Sequence, residues 1–251
     1  MNTVIKVGGR AQGDPRLASV LAARWRARTG ALVVVHGGGD EVSVLQRAAG
    51  VEPVFVGGRR VTAPGDIERL RMALSGAANK RLVAALVAVG VDALGLSGED
   101  AGLLVADVAE GGALGAVGEV RVVRVALLAH LLDGGYLPVV SPLATPGLNV
   151  NGDDAAAAVA AALRADELLF VSDVSAVRVA GAPARRLDAA EAAAAITAGE
   201  IGGGMAAKVR AALDALAGGV ACVRIGDLDL LADVEAGTTV VSTPAAMGMV
   251  S

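Results

Sequence analysis

The feature that most constrains the fold of this chain is the alternation of short apolar runs with longer helix-like stretches. The runs predict strands at 3–7, 32–36, 93–97, 137–140, 168–172, 221–225 and 238–241. The stretches between them predict helices at 15–29, 41–49, 64–89 with a break at Gly76, 125–132, 153–163, 189–198 and 205–217. Strands that alternate with helices favour βαβ units and a mainly parallel open sheet. We therefore predict an α/β fold.

Size and composition indicate one large unit. A length of 251 residues favours a single α/β unit with two lobes and a cleft over two independent domains. The residues are 54% hydrophobic but only 2% aromatic, so Val, Leu and Ala must build the core. That composition suits buried parallel strands covered by Ala-rich helices.

Charge and cysteine content exclude several classes of protein. The net charge is −4 and the basic residues are scattered, so we expect no nucleic-acid partner. The single Cys222 excludes an internal disulfide. The chain opens on a strand-like run without a signal region, and Gly or charged residues interrupt each apolar run before it reaches membrane-spanning length. We expect a cytoplasmic protein without membrane contact.

Two stretches, 54–62 and 103–125, depart from the alternation. The second contains Gly111, Gly112, Gly115 and Gly118. Both predict β-hairpins, which in open α/β sheets often form flaps over the ligand crevice.

Lysine is scarce in this sequence. Lys and Arg together number 22, and only Lys6, Lys80 and Lys208 are Lys. Lys is a compact point charge on a slim stem, whereas Arg is a broad planar fork, so a narrow place beside a phosphoryl group can require Lys. The alternative for any one of them is chance.

A Lys and two glycines end the first predicted strand, at Lys6, Gly8 and Gly9. Ligands of doubly wound sheets bind outside the carboxyl ends of the strands, where residues without side chains let a phosphate approach closely. A simple turn would use the same glycines.

A stronger signal follows the second strand, at His36-Gly37-Gly38-Gly39. Three glycines between a strand and a helix N-terminus expose backbone N–H groups where the helix dipole favours an anion. The alternative is a tight structural turn, and His36 is interpreted as a structural histidine. The spacing is neither that of a Walker loop nor that of a dinucleotide fold.

Two adjacent arginines, Arg59 and Arg60, lie in the first predicted hairpin. A guanidinium there could clamp a carboxylate bidentately. Strand alternation sends the two side chains to opposite faces, so only one is expected to face the cleft. The alternative is a solvated pair on an exposed turn.

Polar groups also precede two later helices. Asp153 could be the N-cap of its helix, the acceptor for two lysine ammonium groups, or both, while Asn149 would donate to a substrate. Gly202-Gly203-Gly204 precedes the helix that carries Lys208. Lys6 and Lys208 would then bring positive charge from opposite halves of the chain to a transferring phosphoryl group.

Taken in order, these motifs resemble the amino acid kinase family over essentially the whole chain, and within it the members that phosphorylate N-acetyl-L-glutamate. The matching segments are the strand of Lys6, His36 to Gly39, Arg60-Val61-Thr62, Asn79-Lys80, Gly95 to Gly98, Asn149 to Asp153, Asp173 to Ser175, and Gly204 to Lys208.

The resemblance implies a three-layer αβα sandwich with a mainly parallel open sheet and β-hairpin flaps. Residues 1–164 would form the lobe for the acylated amino acid and 165–251 the lobe for Mg-ATP. It implies Lys6 and Lys208 as catalytic groups that Asp153 orients. The acid would be held by Gly38, Gly39, Arg60 and Asn149. The nucleotide would contact Gly8, Gly9, Asp173, Val174, Ser175, Ala176, Val177, Arg178, Glu200, Ile201 and Gly202.

The implied reaction is in-line attack of the substrate γ-carboxylate on the γ-phosphate of ATP. The carboxylate is already ionised at neutral pH, so no general base is needed. Mg²⁺ would bridge ATP oxygens with few or no direct protein ligands, so no metal site on the protein is expected.

Four positions depart from the family pattern. Gly152 stands where the family commonly has Ala, Ala176 where it commonly has Gly, Asp40 where it often has Pro, and Arg59 where it usually has an apolar residue. Ala176 bears on the geometry of the nucleotide loop. Asp40 brings a negative charge near the acid-binding loop unless it caps the helix instead.

Arginine-inhibited members of the family carry an extra helix before the first strand, and at most three residues precede that strand here. We therefore expect an arginine-insensitive homodimer with the 64–89 segment, including Lys80, at the interface. A kinase for N-acetyl or carrier-linked 2-aminoadipate is the nearest alternative, since one methylene changes binding little. A non-catalytic sensor of amino acids or nucleotides is the alternative from another class.

Overall fold

The computed structural model describes residues 1–242; the end of the predicted second lobe, residues 243–251, lies outside them. The strands are β1 (Thr3–Val7), β2 (Leu32–His36), β3 (Phe55–Val56), β4 (Arg59–Arg60), β5 (Ala93–Ser97), β6 (Leu104–Val108), β7 (Val117–Val123), β8 (Leu137–Ser141), β9 (Leu143–Ala144), β10 (Leu148–Val150), β11 (Glu167–Val171), β12 (Arg178–Val179), β13 (Ala182–Pro183), β14 (Arg186–Asp188), β15 (Cys222–Gly226) and β16 (Thr238–Val241).

Helices connect most of these strands. The α-helices are α1 (Leu17–Ala27), α2 (Gly39–Ala48), α3 (Ile67–Leu70), α4 (Asn79–Ala88), α5 (Val125–Asp133), α6 (Gly152–Ala162), α7 (Ala189–Thr197) and α8 (Gly203–Ala217). Short 3-10 helices cover Arg10–Gly13, Pro64–Asp66, Asp100–Gly102, Ala109–Gly112 and Leu228–Leu231. In the part of the chain that the structure describes, no helix combines the length and the apolar character needed to cross a membrane.

The helical segment 64–89 differs from the prediction at its centre. We expected a break at Gly76, but Arg71–Ala78 is a π-helix that joins α3 to α4. Gly lowers helix stability without ending a helix, and a π-helix accommodates the irregularity by changing its hydrogen-bond pattern.

An eight-stranded sheet is the centre of the fold. Its strand order is β14-β16-β15-β11-β1-β2-β8-β5. Neighbouring strands are parallel except for the antiparallel pair β15 and β16. The predicted mainly parallel open sheet is therefore confirmed.

Apolar side chains cover both faces of this sheet. Along β1, Val4 packs into a core with α6 and α8, whereas Ile5 and Val7 pack into a second core with α1 and α4. Successive side chains of a strand point to opposite faces, so Lys6 shares the face of Val4. The αβα sandwich is thus confirmed, and Lys6 lies on its α6 side.

Both predicted hairpins are present. β3 pairs with β4, and β6 pairs with β7 in a second sheet of order β6-β7-β10-β9. The short strands β9 and β10 were not predicted, because runs of two or three residues carry too little periodicity.

The parallel strands place their carboxyl ends at one edge. Val7 of β1 is in register with His36 of β2 on one side and with Val171 of β11 on the other. The chain passes from β1 to β2 on one side, whereas β11 on the other side of β1 is reached only after α6. An open α/β sheet forms its ligand crevice where the strand order reverses in this way.

Candidate active site

Three charged side chains meet at this edge of the sheet. Lys6 Nζ lies 2.7 Å from Asp153 Oδ1. Lys208 Nζ donates to both carboxylate oxygens of Asp153 at 3.0 Å each. Each of the three residues is only 7% exposed. The two ammonium groups and one carboxylate leave a net positive charge, here called the Lys–Asp–Lys cluster.

The local sequence explains how Asp153 reaches this position. Asn151, not Asp153, is the N-cap of α6, because its side chain accepts from the backbone N–H of Asp153 at 2.8 Å and of Asp154 at 3.4 Å. The cap interpretation of Asp153 is therefore wrong. Its carboxylate is left free to accept from both lysines.

The cluster shifts the acidities of its members. Burial by itself opposes ionisation of Asp153, but the charges of Lys6 and Lys208 outweigh it and lower the pKa of Asp153 to about 2. Burial, followed by the like charge of Lys6, lowers the pKa of Lys208 to about 8. Asp153 is thus ionised at neutral pH, and Lys208 is mostly charged.

A cavity of about 200 Å³ opens on one side of the cluster. Lys6 and Asp153 line this cavity. All the residues predicted to bind the acid line it as well, namely Gly38, Gly39, Arg60 and Asn149. The loop geometry requires glycine at Gly38, where φ is +157° and a Cβ would lie 2.8 Å from Leu74 Cδ2.

Arg60 is buried in the wall of this cavity. Its guanidinium donates to Gln46 Oε1 at 2.5 Å, to the Gly39 carbonyl at 2.6 Å and to Ser43 Oγ at 2.9 Å. Arg has five N–H donors, so two remain beyond these partners within residues 1–242. Gln46 and Ser43 were missed by the sequence analysis, although their spacing of three places them on one face of α2.

The neighbouring Arg59 points the other way, toward Asp154 and Glu110. The opposite directions agree with strand alternation. Both arginines border the cavity, but the guanidinium of Arg59 pairs with Asp154 and Glu110, which do not line it, so a single clamp at Arg60 stays a prediction.

Asn149 and His36 complete this side. Asn149 Nδ2 donates to Thr62 Oγ1 at 2.9 Å, which fixes the amide at the cavity.

His36 is fully buried, with Nδ1 2.7 Å from the Gly37 carbonyl and Nε2 3.0 Å from Asn79 Nδ2. Burial lowers the pKa of His36 to about 4. A neutral, doubly hydrogen-bonded imidazole is a structural group, as the sequence analysis interpreted it.

A second cavity, of about 490 Å³, lies on the other side of the cluster. Of the residues predicted to contact nucleotide, it contains Gly8, Gly9, Asp173 and Val174, and Lys208 also lines it.

Arg10, which the sequence analysis did not single out, bridges the mouth of this second cavity. It is 3.0 Å from Asp173 and 3.4 Å from Asp40. Asp40 is therefore an ion-pair partner, and Gly38 stands at the N-cap of α2.

The other predicted nucleotide residues do not line this cavity. They are Ser175, Ala176, Val177, Arg178, Glu200, Ile201 and Gly202, and Glu200 borders a separate cavity beside α7. Within residues 1–242, the non-glycine residues with positive φ are Ala101, Glu110, Arg164 and Ala180. Ala176 therefore occupies its loop without the strain that a left-handed backbone would impose.

The acidic groups of the site are committed to cations. In the part of the chain that is described, no three His, Cys, Asp or Glu side chains form a group that could hold a metal ion. Asp153 accepts from two lysines and Asp173 from Arg10. The positively charged donors of the site thus fit an anionic ligand such as a phosphate.

Comparison with known proteins agrees with this geometry. The chain matches the amino acid kinase family over residues 1–227. It is 45% identical over 244 residues to the acetylglutamate kinase of Roseiflexus sp. strain RS-1, covering 95% of this chain and 93% of that protein. It is 47% identical over 238 residues to the acetylglutamate kinase of Chloroflexus aurantiacus strain J-10-fl, covering 92% and 94%.

A solved structure shares the fold. The N-acetylglutamate synthase of Neisseria gonorrhoeae, in complex with coenzyme A and N-acetyl-glutamate, matches 97% of this chain with a TM-score of 0.83 and 25% identity. The match covers 60% of that protein.

Proposed function

The chain belongs to the amino acid kinase family, and we propose that its two cavities hold N-acetyl-L-glutamate and ATP on opposite sides of the Lys–Asp–Lys cluster. It phosphorylates the γ-carboxylate of N-acetyl-L-glutamate, a step of arginine biosynthesis. The observation that supports this arrangement best is the placement of two buried ammonium groups between the cavities, with one carboxylate holding both.

The smaller cavity suits the acid. Two free N–H donors of Arg60 would bind the substrate α-carboxylate, and the amide of Asn149 would donate to the acyl carbonyl oxygen. The backbone at Gly38 and Gly39 would contact the acid without obstruction by side chains. The γ-carboxylate would then point to Lys6.

The larger cavity suits the nucleotide phosphates. Gly8 and Gly9 would lie against them, and Asp173 and Val174 would approach the nucleotide from the end of β11. The loop after β11 and the turn before α8 would bring further residues to the nucleoside. They are Ser175, Ala176, Val177, Arg178, Glu200, Ile201 and Gly202.

The chemical step needs charge and alignment more than covalent chemistry by the protein. A γ-carboxylate oxygen attacks the γ-phosphorus of ATP; the new O–P bond forms as the bond to the β,γ-bridging oxygen breaks, and ADP leaves with that electron pair. Lys6 and Lys208 stabilise the charge on the transferring group, and Asp153 keeps both in place. Mg²⁺ carried by ATP would neutralise part of the phosphate charge.

We extend the proposal to the organisation of the protein. Residues 1–164 would form the acid lobe and 165–251 the nucleotide lobe, in a cytoplasmic homodimer without nucleic-acid or membrane partners. The 64–89 segment is the proposed interface element, since Met72 and Val87 are exposed and β5 is an edge strand of the main sheet. Light scattering of the purified protein would measure the mass.

The test of function is ADP release from Mg-ATP with acetylglutamate, N-acetyl-2-aminoadipate and free glutamate compared side by side, each with and without arginine. Selective turnover of acetylglutamate is expected. Turnover of the longer acid alone, or ATP binding without turnover, would contradict the proposal. The arms with arginine measure whether arginine inhibits.

A further inference from the structure

Arg59 precedes the proposed clamp Arg60, and its ion-pair partners Asp154 and Glu110 lie outside the acid cavity. Its Nε and Nη2 contact the same oxygen of Asp154, at 3.0 and 2.9 Å. Its Nη1 lies 3.4 Å from Glu110 Oε1, in the turn of the β6–β7 hairpin. The side chains of Arg59 and Asp154 are 29% and 25% exposed, so the pair is largely shielded from solvent.

Both members of this ion pair are neighbours of site residues. Arg59 precedes Arg60 in β4, and Asp154 follows Asp153 in the first turn of α6. The pair therefore runs beside the acid cavity from its carboxylate clamp to the Lys–Asp–Lys cluster. The contact thus ties the backbone next to Arg60 to the turn of α6 that carries Asp153.

Gly58, which precedes Arg59 in the hairpin, lies against the N-termini of α6 and α8. Asn151 Nδ2 donates to the Gly58 carbonyl at 3.1 Å. A Cβ on Gly58, where φ is +85°, would lie 2.5 Å from the Cβ of Ala207, which precedes Lys208 in α8. The absence of a side chain thus lets the hairpin approach α8 closely.

The hairpin needs such anchors because its own pairing is short. β3 and β4 are two residues each, and an isolated two-stranded hairpin is marginally stable at best. Loss of Arg59 would also leave the partly buried Asp154 carboxylate without its cation, and burial raises the pKa of that carboxyl.

We propose that the Arg59–Asp154 ion pair determines the length of the acid that the site accepts. By holding the β3–β4 hairpin against α6, it fixes the span from Arg60 to the Lys–Asp–Lys cluster at the length of acetylglutamate and disfavours the homologue with one more methylene. Arg59 is a positioning residue. The inference rests on the proposed function.

The experiment compares kcat/KM for acetylglutamate with kcat/KM for N-acetyl-2-aminoadipate in the full-length protein and in R59L, D154N and the R59L/D154N double variant. A rigid pocket discriminates one methylene by about 10- to 200-fold. Each single variant is expected to lower this ratio by roughly tenfold, and the double variant no further, because one contact is lost in all three. The KM for ATP is expected to stay unchanged.

The matched control is R121L, which removes an exposed hairpin arginine paired with Asp107 and Glu119; its ratio should equal that of the unmodified protein. D154N preserves side-chain volume and carries the test if R59L does not fold, as judged by circular dichroism. An unchanged ratio in folded D154N, or additive losses in the double variant, would overturn the inference. Failure of the unmodified protein to phosphorylate acetylglutamate would instead refute the proposed function.

Discussion

The two cavities beside the Lys–Asp–Lys cluster are built differently. The acid-side cavity is smaller, about 200 Å³ against 490 Å³, and its principal polar residues are buried, with Arg60 7% and Asn149 8% exposed. The side chains of Arg10 and Asp173 at the nucleotide-side cavity are 72% and 47% exposed.

The difference in burial gives the two cavities different capacities for selecting a ligand. Each polar group of the acid side is fixed by its own hydrogen bonds, so that side can reject an acid of the wrong shape, since a misplaced polar group would be left unpaired. Exposed ion pairs contribute little to affinity. The proposed nucleotide side would therefore depend on the shared cluster and on backbone contacts more than on its outer charges.

The largest effect is expected at the cluster, which both cavities share. Lys208→Arg keeps the charge but replaces a slim ammonium, 3.0 Å from both Asp153 oxygens, with a planar fork. We expect kcat to fall by about 10²- to 10³-fold, with the KM for acetylglutamate nearly unchanged, in steady-state assays.

A control for this variant is Lys80→Arg, since Lys80 donates to the Gly95 carbonyl away from both cavities. Normal turnover of Lys208→Arg would rule out the proposed role of Lys208. An equal loss in Lys80→Arg would mean that lysine shape matters for folding and not for the cluster.

On the acid side alone, Arg60→Ala should raise the KM for acetylglutamate by about 10- to 100-fold, because hydrogen bonds to a charged group contribute about 1.5–3 kcal/mol. The KM for ATP should change little. Arg47→Ala removes an exposed arginine of the same region, paired with Glu52 at 3.4 Å, and serves as the control. An unchanged acetylglutamate KM would point to Arg59 or to no arginine clamp.

The pH dependence should report on the cluster again. The pKa of Lys208 is lowered to about 8, so its amine is charged below that pH and neutral above it. We expect kcat/KM to fall above about pH 8, by roughly tenfold per pH unit. Because Arg does not titrate in this range, the residual activity of Lys208→Arg should lack this fall; persistence of the fall would assign it to another group.

The smallest effect is expected at the mouth of the nucleotide side. Arg10→Ala removes exposed ion pairs to Asp40 and Asp173 and should change the KM for ATP only a few-fold. The KM for acetylglutamate should not change. A loss as large as that of Arg60→Ala would contradict the division between a selective acid side and a tolerant nucleotide side.

Much of the fold and part of the site could be predicted from local sequence. Seven of the eight strands of the central sheet follow from apolar runs, whereas the three-residue edge strand β14 was not predicted. The glycines after β1 and β2 mark the functional edge of the sheet. Gln46 and Ser43 could not be recognised as partners of Arg60, because the contacts of a polar side chain on a helix depend on which other segment packs against that helix. The sequence left Asp153 as a candidate for the cap role that Asn151 fills, since both residue types favour that position.

The sequence by itself determined the alternation of strands and helices, and hence a parallel sheet whose strands end at one edge. It also determined which residues lack side chains there and where the few lysines stand, because periodicity and residue type are local properties. Only the tertiary structure decided that Lys6, Asp153 and Lys208 meet within 3.0 Å and that Arg59 pairs with Asp154. Those contacts join residues far apart in the chain, and their geometry depends on the packing of β1, β4, α6 and α8 rather than on any one segment.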